Sequence, residues 1–225
     1  MAKYNAWHDD YWLLLMQVYL KDPVGMKPLY NRDMVNLSLE LHITPRVLRN
    51  RMQRIAGLET PRIERIWSAY KDAPKRLERA VRLLRSMKGF GAADEFYEGV
   101  EVQETFETEF RPIAPTASGT KPSAPEQRLT PAMLVMVLHL YFQLTPATMV
   151  AKTPEVQQMA RMLQIKSSDV VEVLTVYQCC DPYLHRANVV FSPLLGPCQQ
   201  VWQRFADNAK QLADYVEELQ VYFKS

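Results

Sequence analysis

The sequence predicts an all-α protein made of two related helical domains. Three observations carry that prediction. Glycine is scarce, 7 in 225 residues, so few positions favour positive φ and few tight hairpins are expected. Apolar residues recur at spacings of three and four, the period of a helix with one buried face. The same apolar pattern also returns 122 positions later, where Leu13–Leu20 aligns with Val135–Phe142, apolar on apolar and Tyr19 on Tyr141. At that offset Leu37 meets Met159, Leu41 meets Leu163, Ile43 meets Ile165 and Met52 meets Leu174. An ungapped register of this length points to internal duplication.

The elements follow in order. Residues 6–21 read as a first helix, apolar on most of its circumference and central to a core. Lys21-Asp22-Pro23-Val24-Gly25 stops it. Asn31 is placed to cap a helix over about 32–41, with Met34, Leu37 and Leu41 on one face. After the turn His42-Ile43-Thr44, Pro45 opens a helix running to about Ile55. Helices over 62–70 and 75–87 complete the first half. Between residues 96 and 111, Val100, Val102, Phe106 and Phe110 stand at even spacings with acids between them. That alternation predicts a strand or an extended acidic arm. Pro112, Pro115, Pro122 and Pro125 mark a linker. The second half repeats the plan with helices over 131–143, 154–163, 168–178 and, after Pro197, one long helix over 198–223. The expected domains are thus 1–95, a connecting arm and linker 96–128, and 129–225.

Net charge is +2, but it is unevenly spread. Residues 1–95 hold 17 Lys and Arg against 11 Asp and Glu, 96–128 hold 3 against 6, and 129–225 hold 7 against 8. Two halves with one hydrophobic plan and different surfaces are expected to face different partners. No apolar run reaches the roughly 20 residues that span a bilayer. The N-terminus lacks a signal-peptide core. A cytoplasmic protein without membrane contact is expected. Three cysteines, two of them adjacent at Cys179 and Cys180, form no disulfide framework and read as small apolar side chains.

The segment Arg32–Ile55, a short helix, a tight turn with inward Ile43 and a second helix, resembles the helix-turn-helix unit of DNA-binding proteins. The resemblance implies that the second helix reads base edges in the major groove. It departs from the pattern in the long preceding loop and in His42, which stands where a glycine is usual. The residues themselves offer a separate argument. At about 100° per residue, Leu48, Met52 and Ile55 share one face, and Arg46, Asn50 and Gln53 lie opposite, flanked by Arg49 and Arg54. No carboxylate interrupts this face. Arg suits guanine edges or phosphates, and Asn and Gln suit adenine. The helix from Lys75 adds Arg76, Arg79, Arg82 and Arg85 with Glu78 as its sole acid, a pattern suited to neutralising phosphates.

In the second half the corresponding helix exposes Asp169, Glu172 and Thr175 and is otherwise apolar, which predicts an interface or deep burial. His8, His42, His139 and His185 have no ligand spacing and no Cys-x-x-Cys occurs, so no metal or cofactor is expected. Phosphate-loop and nucleophile-elbow motifs are absent, and no enzyme activity is expected. The sequence therefore points to DNA binding through residues 1–95, with dimerisation or partner binding through 129–225. The rival expectation is an interaction scaffold without a nucleic-acid role, working through the acidic arm 98–110 and the apolar helix 168–178. A third expectation joins them: Glu98, Glu101, Glu104, Glu107 and Glu109 fold over the basic first half and compete with DNA.

Overall fold

Helix α1 (Tyr11–Leu20) is apolar almost all round, so it is stable only when neighbours surround it. Four helices do so: α2 (Arg32–Leu41), α3 (Pro45–Ala56), α4 (Pro61–Tyr70) and α5 (Pro74–Ser86) all pack on α1. Leu14, Leu15 and Met16 of α1, Met34 of α2, Leu48 and Met52 of α3, Ile63 of α4 and Val81 of α5 are fully or almost fully buried in the resulting core. This computed structural model describes residues 7–87, 90, 105–113, 129–184 and 192–224. The chain divides into two compact units, residues 1–104 and 105–224. Among the described residues every regular element is helical, with no strand.

The helix boundaries of the first unit follow local chemistry. Asn31 accepts a hydrogen bond from the Asp33 N–H at 3.0 Å and caps α2. Thr60 does the same for α4 through the Ile63 N–H, and Pro45, Pro61 and Pro74 occupy first turns. Thr44 stands at the N-cap of α3 but makes no side-chain cap bond. The loop between α1 and α2 is gathered by Lys27, which is buried and donates from Nζ to the carbonyls of Lys21 at 2.7 Å and of Pro23. Nothing in the sequence singled Lys27 out.

The second unit is built around α7 (Pro131–Tyr141), which is again apolar all round. It is packed by α6 (Thr105–Phe110), α8 (Pro154–Leu163), α9 (Ser167–Cys180), α10 (Leu195–Phe205) and α11 (Ala209–Lys224). Two expectations are corrected. The long helix over 198–223 is two helices, because the first ends at Phe205 with Ala206 as its C-cap, and Asn208 Oδ1 accepts from the Gln211 N–H at 3.0 Å to start the second. Pro197 falls in the first turn of α10, where no N–H is needed, so the helix starts before it.

The second correction concerns the acidic arm. Its described part, 105–110, is helical, and packs in the second unit. Phe106 and Phe110 are four apart, a spacing that suits either an even strand period or a helical turn, and their rings lie 5.4 Å apart on one helix face. Glu107 pairs with Arg111 at 2.9 Å, and Glu109 receives Arg204 Nη1 and the Tyr215 hydroxyl. Both carboxylates are buried in this unit. They are committed there, which removes two of the five acids assigned to a competing arm. Glu98, Glu101, Glu104 and the linker from 114 to 128 lie outside the described residues, although Ile113 N–H donates to Leu129 C=O at 2.8 Å across its ends.

Candidate nucleic-acid interface

The turn between α2 and α3 positions the candidate reading helix. His42 closes α2 in the left-handed conformation, φ 54°, filling the place where glycine is usual. Its N–H and that of Ile43 both return to the Ser38 carbonyl. Ser38, fully buried, donates its hydroxyl to the Ile43 carbonyl and ties the turn to α2. Ile43 points into the core at 5% exposure. With Leu48, Met52 and Ile55 also buried, the roll of α3 about its axis is fixed.

That roll leaves Arg46, Arg49, Asn50 and Gln53 exposed. Among the described residues none of these four side chains has a hydrogen bond or ion pair. The first turn of α3 carries no acid, and Arg46 sits in it. A cation there opposes the helix dipole by roughly 0.3–1 kcal/mol, a cost that a bound anion would reverse. The neighbouring helices α2 and α4 carry Asp33 and Glu64 in that turn.

Arg54, which the sequence groups with these four, is engaged. Its Nε donates to Glu59 at 3.0 Å, and its guanidinium lies 5.7 Å from the Trp12 ring. Arg51 falls on the flank of α3 nearer the core and is half-buried. It lies over Trp7 at 5.1 Å and Trp12 at 5.9 Å. This stack holds α3 against α1 through cation–π contact. Its signal in the sequence was two tryptophans and two arginines with no carboxylate close by in α1 or α3, which periodicity alone does not pair.

The second group of candidate residues is more self-satisfied. Arg82 pairs with Glu78 at 3.0 Å, and Arg76 lies 5.4 Å from the Tyr70 ring. Arg85 grips Glu40 of α2 through two bonds of 2.6 and 2.7 Å, and that bond raises its pKa. Arg79 and Lys75 remain exposed without an ion pair among the described residues. Both α3 and α5 pack on α1 and α4.

No family model, no curated protein and no solved structure matches this chain.

The second unit answers at the same register. Gln164 ends α8 left-handed at φ 57°, and the Ile165 N–H returns to the Ala160 carbonyl at 3.0 Å. Helix α9 then presents Ser168, Val171, Glu172 and Thr175 where α3 presents Arg46, Arg49, Asn50 and Gln53. Asp169 stands in its first turn, accepting from the Lys166 N–H at 3.2 Å. The apolar remainder, Val170, Val173, Leu174, Val176 and Tyr177, is buried inside the unit against α7, α8 and α10. Deep burial, not an exposed interface, accounts for its composition. Among the described residues no group of His, Cys, Asp and Glu could hold a metal ion, and no helix is long and apolar enough to cross a membrane.

Proposed function

We propose that this protein binds nucleic acid through the exposed face of α3, with Arg46 and Arg49 on phosphates or guanine edges and Asn50 and Gln53 reading bases. The observation that carries the reading is this four-residue polar face, cationic and without an internal partner or a first-turn acid. Solvated arginine faces are common, but α3 has no acid to pair with its arginines at i+3 or i+4, whereas α4 carries Glu64 among its own. Arg54 supports the face indirectly by anchoring α3 on Trp12. On α5, Arg79 is the best placed of Arg76, Arg79 and Arg82 to reach a phosphate, since the other two are engaged within the unit. The protein is read as a binding protein and not an enzyme.

The two units are proposed to derive from one duplicated helix-turn-helix-like segment. Support comes from the shared 122-residue offset of the left-handed residues His42 and Gln164 and of the buried pairs Met34 and Val156, Leu48 and Val170, and Met52 and Leu174. In this reading the second unit kept the scaffold and lost the basic face, and serves a protein partner or self-association. Phe142, 49% exposed against Trp202 at 5.6 Å, is the surface that favours this role.

The test is fluorescence anisotropy of the full chain with a random labelled duplex across a salt series. Affinity that falls linearly in log salt, and weakens in Arg46→Ala with Arg49→Ala while the melting temperature holds, supports the reading. Equal affinity in a folded double variant refutes it. If no duplex binds, the scaffold reading takes its place.

A further inference from the structure

Helix α5 has two unlike flanks. Leu77, Val81 and Leu84 face the core and are buried. At about 100° per residue, Glu78, Arg82 and Arg85 fall together on one flank. All three are paired, Arg82 with Glu78 and Arg85 with Glu40. The opposite flank carries Arg76, Arg79, Ala80 and Leu83, with Met87 just past the helix end. Leu83 is 58% exposed and Met87 61% exposed. This flank is therefore basic at its N-terminal end and apolar toward its C-terminal end.

We infer that this flank docks an acidic amphipathic helix of another protein. The partner's leucine-type side chains cover Ala80, Leu83 and Met87, and its carboxylates meet Arg79 and Arg76. A surface built only for phosphate gains nothing from exposed Leu and Met, whereas a helix laid on α5 uses both. A second copy would set Arg76 and Arg79 against their own kind if laid parallel and against Leu83 and Met87 if laid antiparallel, and in neither case meets them with a carboxylate, so charge complementarity selects an acidic partner. The inference does not rest on nucleic-acid binding by α3, but it shares Arg79 with the phosphate contact proposed for α5, and Arg76 reaches a carboxylate while its guanidinium stays over Tyr70.

The probe is a labelled synthetic peptide of Leu and Glu with Leu at i, i+3, i+4 and i+7, titrated with the full chain. A scrambled peptide of the same composition is the control. The patterned peptide is expected to bind about tenfold or more tightly than the scrambled one, and Leu83→Ser and Arg79→Glu are each expected to weaken it about tenfold. Both side chains are exposed, so the melting temperature should stay unchanged. Duplex affinity should not respond to Leu83→Ser. Equal binding of the two peptides overturns the inference, as does indifference to Leu83→Ser. Binding that emerges only after deletion of 93–104 also overturns it, since the chain's own acids would then be the occupant. If duplex displaces the peptide while Leu83→Ser changes neither affinity, the flank is a phosphate surface and the inference fails.

Discussion

His42 and Gln164 close turns of the same backbone geometry. They lie 122 residues apart, each ends a ten-residue helix, and each adopts a left-handed backbone, φ 54° and 57°. Each is followed by an isoleucine whose N–H reaches the carbonyl five residues back, Ser38 in one unit and Ala160 in the other. Neither is glycine, so both turns carry the steric cost that a Cβ imposes in this conformation.

That cost is recoverable. A left-handed L-residue costs roughly 1–2 kcal/mol, and glycine gives back about 0.5–1 kcal/mol in unfolded-state entropy. Gln164→Gly is therefore expected to stabilise the chain by about 0.5–1 kcal/mol in denaturant unfolding. Gln164→Val should destabilise it, because a β-branched side chain fits the left-handed region worst. A neutral glycine variant together with a neutral valine variant would mean the turn is not under this strain.

Much of the fold is legible in the sequence, for identifiable reasons. Proline at a first turn and a capping Asn31 or Thr60 mark helix starts, and the spacing of Leu48, Met52 and Ile55 assigns the buried face of α3. The sequence misleads where one spacing serves two periods. Phe106 and Phe110 suit a strand or a helix, and only packing in the second unit decides for α6. It misleads again at Ala206-Asp207-Asn208, where no proline or glycine announces the break between α10 and α11. For the candidate site, exposure of Arg46, Arg49, Asn50 and Gln53 follows from periodicity. The engagement of Arg54 with Glu59 and Trp12, and of Arg85 with Glu40, does not, because those partners come from other turns and other helices.

Glu109 holds α6 in place through Arg204 and Tyr215. Glu109→Ala leaves both donors without their acceptor and is expected to cost roughly 1–3 kcal/mol. Glu109→Gln, which keeps one acceptor oxygen, should cost less. Thermal unfolding of the two variants orders them, and an unchanged melting temperature in Glu109→Ala would mean α6 is not fastened by this contact.

Burial pushes the Cys198 thiol up to about 12 and the Cys180 thiol up to about 11. Only the thiolate attacks a disulfide reagent. In the native protein at pH 8, Cys198 is expected to stay silent toward an aromatic disulfide and Cys180 to react slowly. All three free cysteines should react in denaturant. Fast titration of three thiols in the native state would contradict the packing of α9 and α10.

His139 is half-buried in α7, hydrogen-bonded to Gln143 at 2.7 Å, and burial holds its pKa below the ordinary 6.5. The unfolded chain therefore takes up a proton first as pH falls. Stability is expected to drop as pH passes below about 6.5 and to level off once the folded imidazole is also protonated. His139→Gln should remove this part of the pH dependence, so its melting temperature should fall less than that of the parent between pH 7.5 and 5.5. Parallel curves for the two proteins would refute the assignment.

The central claim is tested most directly by duplex binding of the full chain as a function of salt, parent against Arg46→Ala with Arg49→Ala. The expected result is a linear fall of log affinity with log salt in the parent. In the double variant the slope should be shallower by about 1–2 and the affinity lower by about tenfold. A folded double variant with the parent's slope and affinity, or a parent that binds no duplex at low salt, would contradict the account.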